Sequence, residues 1–445
     1  MARSRVARES IPAADRTALA GWVRDTRNRT LTLVDDLDGD RWLGPRLRTV
    51  NPPAWEIGHV AWFCEKWVLR HAAKHAPIRA DADALYDSAA VPHEVRWDLP
   101  LPGRDATFAY AAEVMDRTLE RLEHGDLSVD DVYFARLAVF HEDMHGEAFA
   151  MTRQTLGYEA PPGEIREIDD QVVEGPHEWG DVLVPGGTFA LGATRDEPFV
   201  FDNEKWAHRV EAQPFSIARC AVTAGEFARF VEDGGYRRTE LWTPEGQAWL
   251  RLSGASHPLS WRDGGGRWWR RRYDRFVPLE LRHPVANVNA FEAEAYCAWA
   301  GRRLPTEVEW EIAASGQRDP ATGTLSDRKR RHAWGDDPWR EGIANLDARI
   351  GQPIDVAAGA AGESAFGCRQ MGGNVWEWTS TLFAPFPGFT ADPYAEYSKP
   401  WFGDHRVLRG GSFVTRARLI RATWRNFYTP DRRDVFAGFR TCGLA

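Results

Sequence analysis

The stretch DVYFARLAVFHEDMHGEAFAMTRQTLGY, residues 131 to 158, constrains the fold more than any other part of the chain. It contains no proline, its first glycine is Gly146, and its apolar residues (Val132, Phe134, Leu137, Val139, Phe140, Met144, Phe149) recur as in a long, largely buried helix. At helical pitch residues four apart share a face, so His141 and His145 can present two imidazoles to one metal ion. The string is literally H-E-x-x-H, which in one class of peptidase binds zinc and uses the Glu, here Glu142, as general base. The bland alternative is a hydrogen-bonded core pair, since a buried imidazole is costly unless its polar atoms are satisfied.

The sequence before it reads as further helices. Residues 12 to 34 repeat apolar positions at helical spacing, with Gly39 and Gly44 as stops. Asn51-Pro52-Pro53 reads as an N-cap followed by prolines at the first helical positions, and the helix it opens carries His59 in its interior. Residues 76 to 103 read as a long proline-rich loop of the kind that often carries function. A third helix is expected over 105 to 123, and Ser128 with Asp131 forms a capping-box start for the fourth. A four-helix bundle builds metal sites from side chains projecting inward from facing helices, and His59 supplies the third ligand that His141 and His145 lack.

Near residue 160 the character changes to glycine-, proline- and aromatic-rich sequence, so two domains are expected, 1 to 165 and 175 to 445. DVLVPGGTFALGAT reads as a strand pair joined by Gly186-Gly187, and residues 209 to 236 as a strand leading into a short helix. Residues 284 to 314 read as a strand, a helix over Ala290 to Ala300 stopped by Gly301, and a second helix capped by Thr306 and Glu309. Short glycine-separated strands follow around GGNVWEWTS, RVLRGGSF and FAGFR.

A net charge of -9 argues against a nucleic-acid or anionic-membrane partner, and the short runs Arg270 to Arg272 and Arg328 to Arg331 read as solvated loops. The five cysteines are scattered, with no C-x-x-C pair, which points to reduced thiols rather than a disulfide framework. The basic N-terminus is followed by no apolar segment, and no apolar run suits a bilayer span, so a cytoplasmic protein is expected.

The second half resembles the formylglycine-generating-enzyme or sulfatase-modifying-factor domain, through V-P-G-G-x-F, R-L-P-T-E-x-E-W-E, G-N-V-W-E-W, R-G-G-S and G-F-R in that order over about residues 180 to 445. Residues 414 to 425 contain no cysteine where the copper-binding pair of those enzymes is expected, which argues against oxidation of a sulfatase cysteine. Joined to a DinB-like helical bundle with an H…HxxxH pattern, the chain resembles the sulfoxide synthases of ergothioneine biosynthesis and the related selenoneine synthases. The resemblance implies an α+β architecture: a DinB-like four-helix bundle followed by a C-type-lectin-like domain with little regular secondary structure, in which Trp376 and Trp378 belong to the packing signature.

It also implies an Fe(II) centre on His59, His141 and His145, with O2, hercynine (trimethylhistidine) and a thiol or selenol donor as small-molecule partners. Three neutral imidazoles leave open positions on an octahedral iron. Tyr394 and Tyr397 fall where the family places active-site tyrosines, and Tyr397 is the expected acid, because a phenol donates a proton and Phe does not. Asn426 and Phe427 fall at positions that meet hercynine, and Arg432 at one that holds a donor carboxylate; Arg96 is a further candidate for the donor site. Two positions depart from the pattern. Tyr428 stands where enzymes using gamma-glutamylcysteine carry an acidic residue for its ammonium group, and Met144 replaces a hercynine-contacting Gln. Losing a charge-assisted partner is costly, which tilts the expected donor toward one lacking that ammonium, such as cysteine or a selenosugar.

Two other classes compete. A zinc hydrolase needs a third ligand downstream of His145, and no matching spacing is present. A non-catalytic lectin-like binding protein leaves the three-histidine set without a purpose.

Overall fold

The structure, a computed structural model, describes residues 13–162 and 180–444. The expected domain boundary falls mainly on residues 163–179 and the basic N-terminus on residues 1–12; both lie outside the described residues. By its contacts the chain divides into two compact units, Met1–Thr155 and Leu156–Ala445.

The first unit is helical: α1 (Ala13–Thr32), α2 (Gly39–Leu43), α3 (Pro53–Cys64), α4 (Ala82–Tyr86), α5 (Arg104–His124) and α6 (Val129–Leu156). All of α3 is buried, as its run of Ala, Ile, Val, Trp and Phe requires. It continues into a π-helical turn over Glu65–Ala72. Ser128 and Asp131 cap α6 reciprocally, the Ser128 N–H donating to Asp131 Oδ2 (2.8 Å) and the Asp131 N–H to Ser128 Oγ (3.2 Å).

Three expectations change here. The helix stop comes before Gly39, which itself begins α2. Asn51 is not the cap of α3: Pro52 holds that position, and the Asn51 side chain instead accepts a hydrogen bond from Arg96 Nη1 at 2.7 Å. The 76–103 segment is not a structureless loop, since it contains α4 and a 3-10 turn at His93–Val95.

The second unit begins with β1 (Asp181–Val184), β2 (Gly187–Leu191), β3 (His208–Ala212), β4 (Phe215–Ala218), α7 (Ala224–Glu232) and α8 (Pro244–Ser253). It continues through β5 (Trp261–Asp263), β6 (Trp268–Arg272), β7 (Arg275–Pro278), α9 (Ala290–Ala300), α10 (Glu307–Ser315), β8 (Gly316–Arg318) and β9 (Leu325–Lys329). The last strands are β10 (Trp376–Leu382), β11 (Arg406–Arg409), β12 (Asn426–Tyr428) and β13 (Ala437–Gly438), in the order β12-β11-β10-β13.

β1 and β2 do not pair with each other as expected. β1 pairs antiparallel with β4, and β2 with β3. Val182, Val184, Phe189, Leu191, Phe215 and Ile217 all enter one core cluster with Trp310, so burial of alternate residues decides the partners and Gly186-Gly187 only redirects the chain. Residues 284–289 likewise form no strand; one isolated bridge joins Pro284 to Thr223. The run Arg270 to Arg272 lies on β6 rather than in a loop. Gly301 stops α9 in the left-handed region at φ 65° and Thr306 with Glu309 caps α10, as their sequence signals indicate, and Asn289 with Glu292 forms a further capping box at the start of α9. Trp376 and Trp378 are buried, Trp378 Nε1 donating to Val288 O (2.9 Å). All five cysteines are free and buried. Among the described residues no helix is long and apolar enough to cross a membrane.

Candidate functional site

In the first unit α3 and α6 bring His59, His141 and His145 together. One ligand atom from each lies within 4.8 Å of the other two, and the ring centroids are 4.5 to 5.0 Å apart. His141 stacks on Phe63 (3.6 Å, 4°) and His59 on Trp55 (4.7 Å, 11°), so aromatic walls fix both ring planes. Burial, with His145 nearby, holds His59 and His141 well below the ordinary histidine range. Neutral imidazole is the form that offers a lone pair to a metal.

The residues fit a divalent ion on geometry as well. His59 Nδ1 meets the Tyr86 carbonyl at 2.8 Å, which fixes the proton on Nδ1 and leaves Nε2 to face the cluster. The chain builds this contact from α4, whose final carbonyls have no partner within so short a helix. Trp55 Nε1 donates to Leu85 O (2.7 Å), Trp62 Nε1 to Asp83 Oδ1 (2.6 Å), and Arg70 holds the same Asp83 carboxylate with two bonds of 2.7 Å. Lys66 pairs with Asp87 at 2.9 Å. The segment read as a loop is therefore a strap tied along α3 and its π-helical extension.

Glu142 takes no part in the cluster. Its carboxylate receives Arg27 Nε (2.7 Å) and Nη2 (3.0 Å), with both residues buried, and Arg27 Nη1 donates to Ala111 O (2.6 Å). A carboxylate whose two oxygens are both engaged by one arginine is committed to that pair, which argues against the metallopeptidase role. Met144 lies between the two α6 histidines and is partly exposed. Arg96 is 9 % exposed, its guanidinium 3.8 Å from the Trp55 ring centroid, and its hydrogen bonds go to the uncharged Asn51 Oδ1 and Val91 O.

In the second unit another set converges. Tyr397 stacks on Phe201 (4.3 Å), accepts a long hydrogen bond from Trp424 Nε1 (3.4 Å), and lies 6.1 Å from Tyr394 and 5.9 Å from Phe427 between ring centroids. Burial pushes its phenol well above the ordinary tyrosine range. Asn426, Phe427 and Tyr428 form β12, with Phe427 stacked on Phe383 (4.1 Å) and the Asn426 side chain accepting from the Phe427 N–H (2.9 Å). Arg432 is bound to Asp434 at 2.5 and 2.6 Å and lies over the Tyr428 ring at 4.9 Å. Next to Tyr397, the Ser398 hydroxyl donates to Asp202 and accepts from Asn203 Nδ2 (3.0 Å).

The sequence reading missed the residues behind the histidines: Glu56, the Tyr86 carbonyl and Arg27. Glu56 had a usable signal, because it lies three residues before His59 and so shares its helical face. Its Oε1 is 2.6 Å from His145 Nδ1.

Residues 23–149 match the DinB superfamily, and residues 169–443 match the sulfatase-modifying factor enzyme 1-like domain. A protein named hercynine oxygenase from Mycolicibacterium thermoresistibile is 38% identical over 96% of this chain and 94% of its own length. A second of that name, from Mycolicibacterium smegmatis, is 38% identical over 98% and 99%. A third, from Mycobacterium tuberculosis, is 37% identical over 95% and 97%. With both domains matched and similarity running along nearly the whole of each relative, the chain belongs to the hercynine oxygenase family.

Proposed function

We propose that this protein is a non-haem iron(II), O2-dependent enzyme that forms a carbon–sulfur or carbon–selenium bond on the imidazole of hercynine. The observation that carries the reading is the convergence of His59, His141 and His145 within a chain so similar to proteins named hercynine oxygenase. Iron(II) bound by these three imidazoles supplies the O2-dependent oxidation. The imidazole C–H and the donor S–H or Se–H bonds are lost, a carbon–chalcogen and a chalcogen–oxygen bond form, and the second oxygen atom leaves as water.

The chain's own residues supply the remainder. Tyr397 is assigned as the proton donor through its hydroxyl, with Tyr394 beside it; a phenol held protonated by burial keeps its proton until a strong base develops in the reaction. Asn426, Phe427 and Met144 are assigned to hercynine, Phe427 offering a ring face to the trimethylammonium group. Arg96 suits a donor carboxylate, because it is a buried cation whose hydrogen-bond partners carry no charge. Arg432, whose guanidinium is held by Asp434, is assigned to a donor carboxylate. Tyr428 offers no charge to the glutamyl ammonium of gamma-glutamylcysteine, which favours a donor without the glutamyl group, cysteine or a selenosugar selenol.

The test is anaerobic Fe(II) loading, then addition of O2 and hercynine with gamma-glutamylcysteine, cysteine or a selenosugar selenol in parallel, read by O2 uptake and mass spectrometry. O2 uptake that depends on iron, hercynine and donor together, with a coupled product, is expected. Absence of a coupled product with every donor, from iron-loaded protein, overturns the reading.

A further inference from the structure

The three imidazoles are not equivalent in what stands behind them. His59 Nδ1 is met by a neutral backbone carbonyl, whereas His145 Nδ1 is met by the Glu56 carboxylate. Glu56 is 1 % exposed, in the first turn of α3, and reaches across to His145 on α6. A carboxylate in so dry a place is expensive to keep unless a donor or cation compensates it. Arg96, which packs on Trp55, stands close enough to act on it electrostatically, but the hydrogen bonds of Arg96 go to Asn51 and Val91.

Charge counting shows what such a placement does. A divalent ion on three neutral imidazoles leaves two uncompensated positive charges among the buried Trp55, Phe63 and Trp62 side chains. Glu56 is in hydrogen-bond contact with a cluster imidazole, and so stands one ring behind the ligand position of His145. Glu142, the acidic residue adjacent to His141 in sequence, is neutralised by Arg27 and does not serve. The α3 sequence thus carries both a ligand and a carboxylate three residues apart, Glu56 and His59, and the carboxylate serves the histidine of the opposite helix.

We infer that Glu56 is a positioning residue of the metal centre: it holds His145 as the Nδ1–H tautomer with Nε2 toward the ion, and supplies the negative charge that the all-imidazole ligand set lacks. The inference rests on the metal-site reading proposed above. A hydrogen-bonded carboxylate makes the opposite ring nitrogen a better electron donor, and loss of such a partner commonly weakens metal affinity ten- to a hundredfold. Asymmetry among the ligands follows, with His145 a stronger donor than His59, whose Nδ1 meets a neutral carbonyl.

The experiment uses the full-length apo-protein titrated with Co(II), followed by calorimetry and by visible absorption. The wild type is expected to bind one Co(II), and Glu56→Gln, which keeps an acceptor but removes the charge, to bind about ten- to a hundredfold more weakly with shifted visible bands. Failure of the wild type to bind one ion defeats the underlying metal reading. One-to-one binding by the wild type with Glu56→Gln within twofold of it, and unchanged bands, overturns the role of Glu56 alone. Nitrogen-15 NMR of histidine-labelled wild-type protein loaded with diamagnetic Zn(II) reads the same point without a substitution, should the variant not fold. His145 as the Nδ1–H tautomer is expected there, and the Nε2–H tautomer overturns the inference.

Discussion

The ring of Tyr86 occupies the space that a Cβ on Gly58 would need, and the carbonyl of that same Tyr86 holds His59 Nδ1 at 2.8 Å. A missing side chain on α3 thus lets the strap approach closely enough to orient a neighbouring histidine. Gly58→Ala is expected to displace Tyr86 or α4 and to destabilise the protein by about 1–3 kcal/mol, the usual range for overpacking. The diagnostic readout is metal affinity, which should fall with the melting temperature because the His59 anchor moves. Unchanged affinity in a destabilised variant would show that the carbonyl contact is dispensable.

Glu142 separates a structural carboxylate from a catalytic one. Removing one member of a buried ion pair leaves the other charge uncompensated, so Glu142→Ala is expected to lose about 3–5 kcal/mol of stability. Denaturant titration measures that loss, and metal stoichiometry of the folded fraction should stay at one. A variant of normal stability without its metal would contradict the placement of Glu142 beside Arg27.

Asp202 gives a pH dependence with a definite sign. Burial raises its pKa from 3.8 to about 6, with the Asp392 charge adding to the rise and the Ser398 hydroxyl, the Asp392 backbone and Lys205 opposing it. A carboxyl with a raised folded-state pKa favours the fold while protonated. Its contribution is therefore complete below pH 4 and is lost as pH rises through about 6. A shift of roughly two units corresponds to at most about 3 kcal/mol. Asp202→Asn, which keeps an acceptor for Ser398, should melt higher than wild type at pH 7.5 and equal to it near pH 4. A constant difference across that range would remove Asp202 from the pH response.

Tyr397→Phe removes the hydroxyl that accepts a long bond from Trp424 and leaves the Phe201 stack in place. Its melting temperature should stay within a degree or two, while coupled product formation by iron-loaded protein falls by about 10²-fold or more, the scale of a lost general acid. Tyr394→Phe should fall less. Equal rates for wild type and Tyr397→Phe would remove Tyr397 as the proton donor.

Metal occupancy should itself stabilise the fold. At a hundredfold excess over the dissociation constant, an ion that binds only the native state adds about 2.7 kcal/mol. A rise in melting temperature on adding Co(II) to the apo-protein, absent in His59→Ala, is the expected pattern. An equal rise in both would place the ion elsewhere.

Sequence alone determined what repeats locally or depends on residue identity. The 131–158 run specified α6 and the shared face of His141 and His145, because helical pitch is the same in every fold. Thr306 with Glu309 marked a helix start because a capping box closes within four residues. The ordered motifs from V-P-G-G-x-F to G-F-R carried the family. Tertiary structure decided what depends on distant partners. β1 pairs with β4, since hydrogen-bonding edges are chosen by the shared core and a glycine turn cannot specify them. Asn51 serves Arg96 rather than α3, because a residue 45 positions away competes for its side chain. Glu142 beside His141 was drawn away by Arg27, while Glu56, 89 residues before His145, came to stand behind it. Pitch places ligands on a helix face; only packing between helices decides which carboxylate meets an imidazole.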